Sequence, residues 1–199
     1  MESAATRREL VRSGIVATAA LAVGVRSADA SAAAAPAQSD AGVLTRTLEI
    51  EQLVSIAYRQ ALGSHALGPA AARALSEVLS QELEHIAALE RELRGLGAGI
   101  PGPPVSLASA QAALSRHHVS ASLTRLETEH QCLKLLIDME SLAEGAYFSA
   151  ISKLSDPALL RMSAEIMGCE AQHWTLLSAL RHRGDVDQSV PYPFVQGSS

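Results

Sequence analysis

The chain carries the same set of potential metal ligands twice. Each half has a single Glu, followed about thirty residues later by a Glu-x-x-His pair. The six residues are Glu51, Glu82, His85, Glu140, Glu170 and His173. Residues three apart on a helix share one face, with Cβ atoms about 5–6 Å apart, so each Glu-x-x-His pair can grip one ion. Helical bundles hold two metal ions with one Glu from each of two helices and a Glu-x-x-His pair from each of the other two. The spacing therefore predicts a di-iron or di-manganese carboxylate site.

The chemistry of these six side chains favours iron or manganese. Four carboxylates and two neutral imidazoles have a formal charge of −4, which two divalent cations neutralise. Hard carboxylate oxygens and borderline imidazole nitrogens suit these metals better than copper(I), which prefers sulfur. No Lys or Arg shares these helix faces within about two turns. Without metal, the carboxylates should therefore repel one another and hold protons at raised pKa values.

Tyr58 and Tyr147 form a further repeated pair, each seven residues after the single Glu of its half. Seven residues are about two helical turns, so each tyrosine shares a face with Glu51 or Glu140. One interpretation is core packing, with the hydroxyl bonded to a neighbour. The other is a hydrogen bond that supports a metal ligand, or a redox-active tyrosine that protects the site. The duplication favours a bonded role and leaves both interpretations open.

We do not assign two other acidic features, the Glu127–His130 pair and Glu144, to the metal site. Glu127 and His130 form a third Glu-x-x-His pair, but no counterpart exists in the other half and the pair precedes Glu140 by about 20 Å of helix. We interpret it as a solvated face. Glu144 lies one turn after Glu140, and because Ser55 occupies the equivalent position in the first half, we interpret Glu144 as a carboxylate at the rim.

Composition favours a helical domain and argues against nucleic acid as a partner. Of the 199 residues, 48% are hydrophobic and only 3% are aromatic, which is typical of an Ala/Leu-rich helical core. The formal net charge is −5 and no long basic run occurs. The electrostatic attraction on which nucleic-acid binding depends is therefore missing.

Residues 1–30 have the pattern of a twin-arginine export signal. Arg7 and Arg8 precede an apolar run over 14–25, and Ala28-Asp29-Ala30 provides a cleavage site. The run is shorter than the roughly 20 residues that span a membrane. Membrane contact is therefore expected only if the signal is not cleaved. The sequence predicts a periplasmic, cell-envelope or extracellular protein.

An oxidising destination raises the question of a disulfide between Cys132 and Cys169. Cys132 precedes Glu140 by eight residues, which is about 12 Å along a helix. Cys169 is the neighbour of Glu170 and should lie at the height of the site. Because a disulfide needs Cα atoms within about 7 Å, we do not expect this bond.

Four long helices are predicted, with one long connection between them. Their expected ranges are 40–62, 69 to about 96, 120–124 to 154, and 157–184. Residues 31–40 are assigned to an Ala/Pro linker, 41–183 to the bundle and 184–199 to an extended tail. The connection after the second helix is rich in Gly and Pro and is expected to carry a short helix over 107–115. This order predicts an all-α antiparallel four-helix bundle with one long crossover between helices 2 and 3.

Residues 41–183 resemble the ferritin-like superfamily. The single Glu and the Glu-x-x-His pair in each half are similar to the ligand pattern of bacterioferritin and rubrerythrin. The segments 139–147 and 170–173, and the Val-Pro-Tyr-Pro-Phe tail at 190–194, resemble exported bacterial ferritin-like domain proteins still more closely. The Cys-x-x-Cys pair that the rubredoxin module of rubrerythrins requires does not occur in this sequence.

The resemblance implies a ferritin-like bundle and a role for each of the six ligands. Glu82 and Glu170 would bridge the two metal ions. The remaining ligands would be Glu51 with His85 on one ion, and Glu140 with His173 on the other.

These inferences combine into one functional expectation, with alternatives. We expect an exported protein with two iron ions, or manganese as the alternative, that reacts with dioxygen or hydrogen peroxide as a ferroxidase or a peroxide-detoxifying enzyme. The enzyme alternative is a manganese-catalase-like peroxide dismutase. The alternative from a different functional class is a non-catalytic envelope or stress-related binding domain that retains the bundle. An iron-storage cage is less favoured, and exposed apolar helix faces are compatible with a homodimer.

Overall fold

The computed structural model describes residues 39–189, and the secondary-structure elements of this part of the chain are all helices. The helices are α1 (Asp40–Gly63), α2 (Pro69–Gly95), α3 (Leu107–Arg116), α4 (Glu129–Ile151), α5 (Pro157–Arg181) and α6 (Val186–Ser189). Helices α1, α2, α4 and α5 form the bundle, and the long crossover between α2 and α4 carries α3. The predicted all-α four-helix bundle with one long crossover is confirmed. The expected signal over 1–30, most of the linker, and the tail from 190 lie outside the described residues.

Local side-chain caps fix where α1 and α5 begin. The cap of α1 is Ser39, whose Oγ accepts a hydrogen bond from the Gly42 amide at 3.2 Å. Asp40 accepts hydrogen bonds from the Ser155 amide, the Ser155 hydroxyl and the Asp156 amide at 2.9–3.0 Å. These bonds tie the start of α1 to the turn between α4 and α5. Asp156 then caps α5, whose first helical residue is a proline.

The predicted start of the third long helix at 120–124 is wrong, because α4 begins at Glu129. Val119, Leu123 and Leu126 are buried, and their spacing of four and three residues imitates a helix. They belong instead to the crossover, where the Gln111 side chain bonds the backbone at 121 and 123. Thr128 then opens α4 with a capping box. The end of α4 at Ile151 also precedes the predicted 154.

Two apolar clusters lie on either side of a buried polar region. The first apolar cluster includes Leu75, Val78, Leu114, Leu133 and Leu177. The second apolar cluster includes Leu44, Leu48, Leu89, Leu93 and Leu159. Each fully buried leucine contributes about 1.5–3 kcal/mol to stability. Along α2 the chain passes from the first cluster through Glu82 and His85 to the second, so the apolar clusters enclose the predicted ligands.

Two further features of the fold bear on the sequence predictions. Cys132 is buried and Cys169 is partly buried, and both are free thiols in the structure. Within residues 39–189, the helices lack a stretch of the length and apolar character needed to cross a membrane.

Candidate metal centre

The six predicted ligands converge at one buried point in the middle of the bundle. The four glutamates have no exposed surface, and His173 and His85 are 3% and 8% exposed. Their ligand atoms form two groups, in each of which all atoms lie within 4.8 Å of one another. One group is Glu51, Glu82, His85 and Glu170, and the other is Glu82, Glu140, Glu170 and His173. Glu82 and Glu170 belong to both groups, which is the position that a bridging carboxylate occupies.

The two histidines approach the carboxylates in matching ways. His85 Nδ1 lies 2.8 Å from Glu170 Oε1 and 3.5 Å from Glu82 Oε2. His173 Nδ1 lies 2.8 Å from Glu82 Oε1 and 3.7 Å from Glu170 Oε2. Each histidine is therefore nearest to the glutamate of the opposite helix rather than to that of its own. The repeat in the sequence has become an approximate two-fold arrangement of donor atoms.

Eight buried donor atoms of these residues make no well-aligned hydrogen bond, although each histidine Nδ1 lies 2.8 Å from a carboxylate oxygen. They are Glu51 Oε2, both carboxylate oxygens of Glu82, His85 Nδ1, Glu140 Oε2, both carboxylate oxygens of Glu170, and His173 Nδ1. Native proteins satisfy most buried polar atoms, and an unsatisfied carboxylate oxygen is costly. The free atoms are distributed as two from each central glutamate and one from each outer residue. This donor set fits two cations held by two bridging and two terminal carboxylates.

The two tyrosines hydrogen-bond the remaining oxygens of the outer glutamates, Glu51 and Glu140. The Tyr58 hydroxyl donates a hydrogen bond to Glu140 Oε1, and the Tyr147 hydroxyl donates one to Glu51 Oε1. Each tyrosine thus supports the glutamate of the other half of the repeat. Both rings are fully buried, so core packing and the supporting hydrogen bond occur together. Burial and the neighbouring Glu140 carboxylate raise the pKa of Tyr58 well above its ordinary value, which keeps the phenol protonated as a donor.

Electrostatics within the metal-free site favour bound protons. Burial raises the pKa of Glu51, as do Glu170 and Glu82. Burial alone would lower the pKa of His85, but the Glu82 and Glu51 carboxylates outweigh it and raise the pKa to about 9. The opposite balance holds at Glu82, where the two imidazoles overcome burial and lower the pKa to about 2. Cation binding must therefore release protons from the site.

Gln81 and Cys169 are neighbours of the site that the sequence interpretation missed. The Oε1 atom of Gln81 accepts a hydrogen bond from His173 Nε2 at 2.8 Å, and Cys169 Sγ lies 3.4 Å from the same nitrogen. Both residues directly precede a central glutamate and occupy equivalent positions of the repeat. Their equivalent positions in the two halves could have identified them from the sequence. Because Gln and Cys are different residues, the two did not stand out as part of the repeat.

Glu144 lies outside both ligand groups, as the third Glu-x-x-His pair does. Glu127 and His130 are exposed around the start of α4. Glu144, expected at a rim, is only 4% exposed. Burial and the nearby Glu140 carboxylate raise its pKa from 4.5 to about 7.

Replacing Glu144 with glutamine is expected to stabilise the metal-free protein in a pH-dependent way. Because the folded-state pKa is raised, the wild-type carboxyl contributes full stability below pH 4.5 and loses it as the pH rises through 7. The variant should match the wild type at pH 4 and exceed it by roughly 1–3 kcal/mol at pH 8. Urea unfolding with a chelator present measures the difference, with the exposed Glu127→Gln as control. An equal gain at both pH values would contradict this assignment.

Comparison with known proteins agrees with this geometry. A family model for the ferritin-like domain matches residues 39–183, a segment that contains all four bundle helices and well over half of the chain. No curated protein and no solved structure gives a significant match to the chain. The match and the fold together show that the chain belongs to the ferritin-like domain family.

Proposed function

We propose that the protein binds two metal ions between α1, α2, α4 and α5, with iron preferred, and reacts with dioxygen or hydrogen peroxide as a ferroxidase or a peroxide-removing enzyme. The eight donor atoms without a well-aligned hydrogen bond carry this proposal, because their distribution matches two cations with shared carboxylates. Reduction of one hydrogen peroxide to two waters takes two electrons and two protons, and a pair of ferrous ions supplies the two electrons.

The protein residues would contribute position, charge and exclusion of water. Glu82 and Glu170 are placed to hold both ions at once. Tyr58 and Tyr147 fix one oxygen of each outer carboxylate and leave the other oxygen facing the site. The two apolar clusters shield the site from bulk water, which strengthens interactions between the carboxylates and the cations.

Metal analysis after native expression tests the proposal, followed by stopped-flow mixing of the anaerobic ferrous-loaded protein with dioxygen or hydrogen peroxide. We expect two ions per chain and consumption of the oxidant faster than with free ferrous ion. Metal absent from the native protein and not taken up on reconstitution would refute it. Two bound ions without accelerated oxidant consumption would indicate the non-catalytic alternative.

Manganese is the second candidate metal, because the same oxygen-rich donor set suits it. A manganese-loaded protein that decomposes hydrogen peroxide without any ferrous ion would indicate a catalase-like dismutase. Size-exclusion chromatography of the same samples distinguishes a monomer or homodimer from a closed storage cage.

We also propose that the protein is exported by the twin-arginine route to the periplasm, cell envelope or exterior. The support is the sequence of residues 1–30, with Arg7 and Arg8 before the apolar run. Export of an already folded protein would let the metal site assemble before transport.

A further inference from the structure

The two histidines of the site differ in the hydrogen-bond partner of Nε2, the ring nitrogen that faces away from the carboxylates. Gln81 and Cys169 occupy equivalent positions of the repeat, each directly before a central glutamate and four residues before a histidine. A symmetric site would have the same residue at both positions. This chain has an amide at one and a thiol at the other.

His173 is anchored on that outer side. Its Nε2 is bonded to Gln81 Oε1 at 2.8 Å, and an amide oxygen can only accept a hydrogen bond. In the neutral form that binds a cation, the proton of this imidazole therefore sits on Nε2, which leaves Nδ1 as the ligand atom on the carboxylate side. The side chain of His173 is 4% exposed. Gln81 thereby fixes the ring orientation and selects the tautomer that binds a cation.

His85 has no such anchor within residues 39–189. Its Nδ1 faces the carboxylates as that of His173 does, but the structure shows no amide or carboxylate acceptor for its Nε2. Cys169, the repeat counterpart of Gln81, has a thiol whose contacts are with His173 Nε2 and Gln81 Oε1, at 3.4 and 3.6 Å. The His85 side chain is 10% exposed, more than twice the value for His173. In its neutral form, this imidazole can carry its proton on either nitrogen, and its side chain lies nearer to solvent.

We propose that the two metal positions are unequal, with Gln81 as the positioning residue that causes the difference. The position completed by Glu140 and His173 binds its cation tightly and retains it. The position completed by Glu51 and His85 binds more weakly and exchanges its cation with solvent, so that ferrous ion is loaded there. This inference rests on the proposed dinuclear site and adds an order of filling to it.

Calorimetric and absorption titrations with Co²⁺ test the inequality without any turnover. The wild type should bind two ions in two steps separated by at least about 10-fold. Gln81→Leu should weaken the tighter step by about 10–100-fold, the usual cost of losing a supporting hydrogen bond to a ligand, and leave the weaker step unchanged. Gln81→Glu keeps an acceptor oxygen and should restore the tighter step. His85→Ala should retain the tight step, whereas His173→Ala should retain only the weak one.

Gln172 provides the matched control, because this glutamine of α5 is exposed and donates a hydrogen bond to the Gly168 carbonyl of its own helix. Gln172→Leu should leave both steps within about 3-fold of the wild type, a change well below the effect expected at Gln81. Equal affinities in the wild type, an equal loss in both steps for Gln81→Leu, or loss of the tight step in His85→Ala would overturn the inference. Failure of the wild type to bind Co²⁺ at all would instead refute the dinuclear site.

Discussion

Replacing Glu82 and Glu170 together with alanine is expected to abolish binding of both metal ions and the stability that they confer. For the wild type, free metal at about 1,000 times Kd contributes about 4 kcal/mol per site. In a protein of this size each kcal/mol raises Tm by about 2–4 °C, so two sites raise it by roughly 15–30 °C. The variant loses Glu82 and Glu170, the two carboxylates that both ligand groups share, and should show almost none of this increase. Differential scanning calorimetry with and without Mn²⁺ measures it.

The chain supplies its own control for that experiment. Glu127→Ala combined with His130→Ala removes a Glu-x-x-His pair of identical spacing from an exposed position. This control should keep two bound ions and the full increase in Tm. Circular dichroism establishes that the Glu82/Glu170 variant is folded before its Tm is compared. A variant that still gains the wild-type increase with metal would show that the ions bind elsewhere.

Replacing Glu170 alone with glutamine is expected to have opposite effects on the metal-free and the metal-loaded protein. Burial and the carboxylates of Glu140 and Glu82 raise the pKa of Glu170 well above its ordinary value. A carboxyl with a raised folded-state pKa contributes full stability below the unfolded-state pKa and loses it as the pH rises. Glutamine does not ionise, so in chelator the variant should exceed the wild-type Tm by several degrees at pH 8 and match it at pH 4. With Mn²⁺ the order should reverse, because one bridging ligand is gone.

Glu165→Gln is the matched control for this reversal. Glu165 lies on the same helix, is exposed, and pairs with Arg161 at the surface. Its substitution should leave Tm nearly unchanged at both pH values, with or without metal, since exposed ion pairs contribute little. A Glu170→Gln variant that is less stable than the wild type in chelator at pH 8 would contradict the proposed electrostatics.

The sequence predicted the convergence of the six side chains better than it predicted the ends of the helices. Spacing of three residues forces Glu82 and His85 onto one face whatever the surroundings, so their convergence follows from helix geometry. The start of α4 was missed because Val119, Leu123 and Leu126 have helical spacing but pack from an irregular crossover. In that segment, contacts with the rest of the core outweigh the local pattern.

Hydrogen bonds between residues of different helices could not be predicted from a single sequence. Tyr58 and Glu51 share a helix face, so their own proximity was predictable. That Tyr58 would bond Glu140 instead depends on how α1 and α4 lie against each other. The same holds for the bond from His173 to Gln81, which joins α5 to α2.

The exchange of hydrogen bonds by the two tyrosines bears on the ancestry of the fold. Tyr58 bonds Glu140 and Tyr147 bonds Glu51, and each ligand group also combines residues of both halves. Neither the α1–α2 pair nor the α4–α5 pair therefore completes a ligand group from its own residues. A primitive gene that encoded a single hairpin would have made this centre only by pairing two identical copies. Fusion of two such copies would account for the internal repeat, and divergence after fusion would account for an amide at one position and a thiol at the other.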